Sequence, residues 1–211
     1  IFNAACEPHV QDLCRLLNQM GARIRGIGTN LLRLEGVDSL HGATQRVQPD
    51  LIEIGSYIAA AAVTGGELLV RDICPDQAAI VARAYAKLGI HWTVAGEELR
   101  LAPRRKLRIA REFGAATPKI EDGVWPSFPS DLMSVAIVAA TQAGGAILFF
   151  EKMFESRMYF VDQLVNMGAH IIQCDPHRVI VVGGARLHAS PIASPDIRAG
   201  MALLIAALCA K

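Results

Sequence analysis

Aromatic residues make up only 6% of this 211-residue chain, which excludes a core built mainly on large rings. Charged residues are also scarce, at 19%, against about 25% in ordinary globular domains. The 21 basic and 20 acidic residues nearly cancel, leaving a formal net charge of +1. That balance gives no global field for holding nucleic acid or an anionic membrane surface. The longest uninterrupted apolar run, Met201 to Ala210, has ten residues, where a membrane-spanning helix needs about 20. The five cysteines (Cys6, Cys14, Cys74, Cys174, Cys209) form no Cys-x-x-Cys pair. Their odd number and wide spacing argue against a disulfide framework and fit reduced thiols in a cytoplasmic protein. Neither Gly-x-Gly-x-x-Gly nor a Walker A loop is present, so the common nucleotide-phosphate cradles are excluded.

What the chain does have is small and apolar. Hydrophobic residues account for 52% and alanine alone for 32 positions, enough to bury a sizeable core and to exclude disorder. The length fits one large or two small domains. The chain opens on Ile1 rather than methionine, and its last apolar run meets Lys211 with no capping glycine. It therefore reads as part of a longer protein, with its final helix still in progress.

A repeat organises the sequence. VQDLCRLLNQMGARIRG, AAIVARAYAKLGIHWTV and MYFVDQLVNMGAHIIQC each place an amphipathic run before a glycine (Gly21, Gly89, Gly168) and then a short strand. A second strand follows in NLLRLEG, EELRLAP and HRVIVVGG. Next comes an aspartate after proline (Asp50 in QPD, Asp131 in FPSD, Asp196 in SPD) leading a run of small and apolar residues. The first two of these runs continue through Gly-Gly turns into strands ELLVRDI and AILFFEK. The unit reads helix, strand, strand, buried helix, strand. Helices apolar nearly all round need cover on every side, so the expected architecture is a repeated α/β fold with helices at its centre, not a doubly wound sheet.

Several residues could carry chemistry. Asp50, Asp131 and Asp196 hold equivalent places, where the ordinary use is to cap the following helix; facing a cleft, the same carboxylate can act as a general base. Asp131 stands apart because WPSFPSD crowds two prolines and two aromatics beside it. Arg157, in FESRMYF at the expected start of the third amphipathic helix, is either a surface arginine with a buried stem or a forked donor for phosphate or carboxylate. Glu7 precedes Pro8, which is placed to open the first helix. The basic run 104–111 alternates charge with apolar residues as an edge strand does, without the aromatic platforms of a nucleic-acid site. His170, Cys174 and His177 match no standard metal-ligand spacing and are expected in a hairpin.

At these motifs a family becomes recognisable. NAACEPHVQDLC, QPDLIEIGSYIAAAAVTGGE, FPSDLMS, FESRMYFVDQLVNMGAH and SPDIRAG closely resemble the UDP-N-acetylglucosamine enolpyruvyl transferases, in order and spacing along the whole chain. The resemblance implies an inside-out α/β barrel built from helix-strand-strand-helix-strand units. It makes residues 1–48 the tail of one barrel and 49–211 most of a second. It implies transfer of the enolpyruvyl group from phosphoenolpyruvate to the 3-hydroxyl of UDP-N-acetylglucosamine, with loss of phosphate, as the first committed step of peptidoglycan synthesis. Asp131 matches the proposed base beside that hydroxyl, Arg157 the clamp on the phosphoenolpyruvate anion, and Met153 a residue lining the nucleotide-sugar site. Glu7, Asp50, Asp196 and Arg198 match supporting positions around the cleft. No cofactor, metal, nucleic acid or membrane is implied. The partner is the missing barrel, which holds the family's reactive-cysteine loop, so this chain alone is expected to be inactive. Two departures stand out: Leu51 replaces a basic residue that often follows the QPD-type aspartate, and FPTD has become FPSD. The alternatives are a non-catalytic repeat protein of the same fold, binding a nucleotide sugar or a protein partner, and enolpyruvyl transfer to another acceptor.

Overall fold

The computed structural model describes residues 1–103, 106–112, 114 and 116–211. The elements, in order, are α1 (Pro8–Gln19), β1 (Arg23–Arg25), β2 (Arg33–Glu35), α2 (Leu51–Thr64), β3 (Leu68–Val70), α3 (Pro75–Lys87), β4 (Thr93–Ala95), β5 (Glu98–Leu101), β6 (Leu107–Arg108), β7 (Lys119–Glu121), α4 (Met133–Thr141), β8 (Ala143–Phe150), α5 (Val161–Asn166), β9 (His170–Asp175), β10 (Arg178–Gly183) and α6 (Ile197–Cys209). They form two compact units, residues 1–49 with 124–126 and residues 50–123 with 127–211.

The repeat is visible in how helices stop. Gly21, Gly89 and Gly168 all take positive φ, at 102°, 77° and 96°. One residue later an N–H reaches back five positions: Ala22 to Leu17, Ile90 to Tyr85 and Ala169 to Leu164, at 2.9, 3.0 and 2.9 Å. This is the Schellman stop, in which a left-handed residue lets the chain turn back over its own last carbonyls. An antiparallel hairpin follows each one: β1–β2, β4–β5 and β9–β10.

In the first unit a small core of Ala4, Cys14, Ile24 and Leu32 packs α1 on its hairpin. Asn18 pins the two together, donating to the Ile24 carbonyl and accepting from the Ile24 N–H, both at 2.8 Å.

In the second unit α2, α4 and α6 pack on one another, while β8 and β10 lie against α4. All nine residues of α4 are buried. The flanking helices are not so enclosed: Tyr57 on α2 and Ile197, Leu204 and Leu208 on α6 stay exposed. Cover on every side therefore holds for α4 alone. It is the helix that takes strands β8 and β10 against it as well as the other two helices, whereas α2 and α6 each keep an open face. A five-stranded sheet runs β6-β8-β10-β9, with β7 also paired to β8, and a second sheet runs β3-β5-β4. Among the described residues these sheets end in free edges, and no closed barrel is present.

Other expectations shift locally. The Gly-Gly of AGGA lies inside β8 rather than in a turn. The reason is close packing: a Cβ on Gly145 would meet the Ile109 side chain at 2.9 Å, and one on the facing Gly183 would meet the Ala143 and Ala140 carbonyl oxygens at 1.9 and 2.2 Å. The third amphipathic helix begins only at Val161, because Ser156 takes a φ of 65° and turns the chain first. Helix α6 ends at Cys209, and Lys211 pairs with Leu187 and Ala189 instead of continuing the helix. The basic run supplies β6, which pairs in parallel with β8. Its first two arginines, Arg104 and Arg105, lie outside the described residues.

Candidate functional site

The three equivalent aspartates diverge. Asp50 caps α2, accepting from the Ile52 and Glu53 N–H groups at 2.7 and 3.3 Å. Asp196 caps α6, accepting from Arg198 and Ala199 at 2.7 and 2.9 Å. Asp131 caps nothing. It sits inside a short 3₁₀ turn, Ser130–Leu132, that leads into α4, and this turn frees its carboxylate for side-chain partners. Arg157 Nη1 approaches Oδ1 at 3.2 Å, and Arg198 Nη2 approaches Oδ2 at 2.8 Å. One guanidinium thus sits on each oxygen. An ionised carboxylate has about four lone-pair sites, so capacity remains for a substrate hydroxyl.

The loop after β8 presents Arg157. Its guanidinium stacks 4.5 Å from the Phe154 ring, which orients the fork and leaves part of it exposed. Ser130, Glu151, Arg157, Asp196 and Arg198 line one small cavity together with Met133 and Met158. A wider groove along Lys106, Arg108 and Arg111 contains none of the candidate residues.

Two acids that sequence reading passed over lie under this site. Asp122 and Glu151 are both fully buried. The Ser130 hydroxyl donates toward both Glu151 oxygens, at 2.8 and 2.9 Å. Glu151 Oε1 also accepts from the Met153 and Phe154 N–H groups at 3.3 and 3.2 Å. Asp122 accepts from the Lys152 and Met153 N–H groups. Burial first, then the hydrogen bond and charge of Asp122, push the Glu151 carboxyl up to about 8, against the opposing pull of Ser130. Glu151 therefore favours its protonated form beside Asp122. Their signal was strand phase: Ile147, Phe149 and Glu151 point to one side of β8 and its end, and Ile120 and Asp122 do the same along β7.

The remaining candidates are placed as follows. Met153 is 41% exposed, in the loop that follows β8. Glu7 lies in the first unit, immediately before α1, with Pro8 opening that helix. One of its carboxylate oxygens is buried with no hydrogen-bond partner among the described residues. His170 and Cys174 are in β9 and His177 is in the turn after it; among the described residues no cluster of three metal-ligating side chains occurs.

The family model described as EPSP synthase (3-phosphoshikimate 1-carboxyvinyltransferase) matches residues 1–211. The chain belongs to the EPSP synthase family. It is 52% identical over 211 residues to the UDP-N-acetylglucosamine 1-carboxyvinyltransferase of Borrelia garinii, covering 100% of this chain and 49% of that protein. Identity to the enzyme of the same name from Treponema pallidum is also 52%, over 100% of this chain and 50% of that one. The chain spans about half the length of the curated relatives it matches. Solved structures of the EPSP synthase fold agree. The enolpyruvyl transferase NikO from Streptomyces tendae superposes with a TM-score of 0.82 at 23% identity, over 99% of this chain and 48% of that one. An EPSP synthase from Acinetobacter baumannii gives 0.65 at 18% identity, over 93% and 47%. At these identities the likeness shows the shared fold.

Within this EPSP synthase fold, FPSD keeps the hydroxyl that FPTD would supply, since Ser130 uses only its Oγ toward Glu151. Leu51 is buried at the start of α2, so the position holds packing rather than a cleft charge.

Proposed function

We propose that this chain forms part of an enzyme that transfers the enolpyruvyl group of phosphoenolpyruvate to the 3-hydroxyl of UDP-N-acetylglucosamine, releasing phosphate. The observation that carries this reading is Asp131 standing between Arg157 and Arg198, in a chain 52% identical to transferases of that name. Asp131 takes the proton of the 3-hydroxyl as its oxygen attacks C2 of phosphoenolpyruvate, while C3 gains a proton from an acid in the part of the full-length protein that this chain does not span. The tetrahedral adduct then loses phosphate and a C3 proton, leaving the enol ether. Arg157 holds the phosphoenolpyruvate anion, where a fork matches phosphate or carboxylate oxygens. Arg198 stays on the far oxygen of Asp131 and fixes its orientation. Met153 lines the sugar-nucleotide side, and Asp50 and Asp196 fix the helices. The other substrate contacts, including the reactive-cysteine loop, come from the part of the relatives' length that this chain does not span. We place the reaction in the cytoplasm, at the committed step of peptidoglycan synthesis.

The test is phosphate release from phosphoenolpyruvate by the full-length protein, with and without UDP-N-acetylglucosamine, for wild type and Asp131→Asn. Acceptor-dependent release that falls by roughly a hundredfold or more in the variant supports the reading. Release untouched by Asp131→Asn removes the base assignment, and no release from folded protein removes the transferase reading.

A further inference from the structure

We propose that Glu151 is a positioning residue for the Asp131–Arg157 pair, its buried carboxyl tying the turn that carries Asp131 to the loop that carries Arg157. The kinetic part of this inference rests on the enolpyruvyl-transfer reading; the structural part does not.

Asp131 and Arg157 are 26 residues apart. Among the described residues no backbone hydrogen bond joins the 130–132 turn to the 152–157 loop. Glu151 supplies the missing connection. On one side it accepts from the Ser130 hydroxyl, next to Asp131; on the other it accepts from the Met153 and Phe154 N–H groups. Phe154 in turn carries the ring on which the Arg157 guanidinium rests. Asp122 holds the same loop through Lys152 and Met153, one residue behind. Packing alone would not call for such a cluster. Two buried carboxyls are costly unless they are hydrogen-bonded, and here both accept from backbone or hydroxyl donors of the segments that meet at Asp131.

The register of the strands brings the acids together. Strand β7 pairs in parallel with β8, setting Glu121 opposite Phe150, so the next residue of each strand, Asp122 and Glu151, meet at the sheet's end. The charged and titratable groups around Glu151 are few. Asp122 comes from the end of β7, and His177 from the β9–β10 turn, its Nδ1 3.0 Å from the Glu151 carbonyl oxygen. Arg157 comes from the loop before α5, Asp131 from the turn before α4, and Asp196 and Arg198 from the start of α6. Adjacent Lys152 turns away toward Glu121, at 3.5 Å. The protonated carboxyl donates to Asp122 and accepts from the loop; its ionisation would set two carboxylates against each other and loosen the tie.

The experiment uses the full-length protein and compares Glu151→Ala and Glu151→Gln by steady-state kinetics and crystallography. Alanine should lower kcat roughly 10- to 100-fold, the scale of a misplaced reacting group, with the KM for UDP-N-acetylglucosamine within about threefold of wild type. Glutamine, which donates and accepts in the same places, should restore kcat to within about fivefold and remove the alkaline loss of kcat that Glu151 ionisation causes. In the crystal, the 3.2 Å Arg157–Asp131 contact should be broken in the alanine variant and kept in the glutamine one. Wild-type kcat in a folded alanine variant overturns the proposal, and so does an unbroken contact. Glutamine as damaging as alanine also overturns it, because Glu151 would then be moving a proton itself. Should the alanine variant not fold, Ser130→Ala cuts one side of the tie. It is expected to lower kcat roughly 3- to 10-fold and lengthen the contact; unchanged values for both overturn the proposal. If wild type itself transfers nothing, the functional reading fails, and the crystallographic comparison still decides the role of Glu151.

Discussion

Asp131 holds a guanidinium on each of its oxygens, so its charge is already shared before any ligand arrives. In the proposed function an incoming anion competes with Asp131 for Arg157, and a planar fork can hold the one while it turns to the other. Arg157→Lys should therefore be no conservative change: the KM for phosphoenolpyruvate is expected to rise by about tenfold or more, read by steady-state kinetics, with the fold intact by circular dichroism. The buried acids give a pH prediction. In acid, folded and unfolded chains both carry the Glu151 proton. Between the ordinary carboxylate range and about 8 the unfolded chain ionises while the folded one resists. Stability is thus lost as pH rises through that window, by an amount on the order of a few kcal/mol. Urea midpoints for wild type should fall from about pH 5 to about pH 8, and Glu151→Gln should flatten the slope. Sequence alone reached Asp131, Arg157 and Arg198 through their motifs. It missed Asp122 and Glu151 because a single acid at a strand end has no spacing to betray it; only continuing the inward phase of each strand, and knowing that β7 pairs with β8, puts the two together.

At the scale of elements, the helix stops were legible because a glycine after an amphipathic run has one common use. The paired glycines were not, since a turn and a tight crossing need the same residue. Gly183 and Gly184 separate the two cases. A Cβ on Gly183 would lie 1.9 Å from a backbone oxygen of β8, which no rotamer relieves, whereas Gly184 has open space and a φ of 85°. Gly183→Ala should cost about 3 kcal/mol or more, and Gly184→Ala about 1 kcal/mol, for strain alone. Equilibrium denaturation measures both. Asp50→Ala and Asp196→Ala should each cost about 1 kcal/mol for a lost cap, a cost that Asp131→Asn, which ends no helix, should not share.

At the scale of the whole molecule the five thiols report compactness. Cys6 and Cys14 are buried, Cys174 is exposed, and Cys74 and Cys209 lie between; burial pushes Cys209 up to about 11. A disulfide reagent at mild alkaline pH should modify Cys174 first, with Cys6, Cys14 and Cys209 waiting for unfolding. Rapid reaction at Cys6 or Cys14 would show that the native chain is looser than its structure. The helix-centred packing was foreseeable from the alternation of amphipathic and wholly apolar runs, while the open faces of α2 and α6 were not, because composition does not say which of three similar helices also takes strands against it. The complete burial of α4 bears on durability. The Asp131 turn flows straight into α4, a helix without a solvent-facing residue, so in the wild-type protein, with the Glu151 tie intact, heating displaces it only as the core melts. Heat should then leave no temperature at which the carboxylate is misplaced in an otherwise sound protein: inactivation and calorimetric melting should trace one curve, and cooling should return both together.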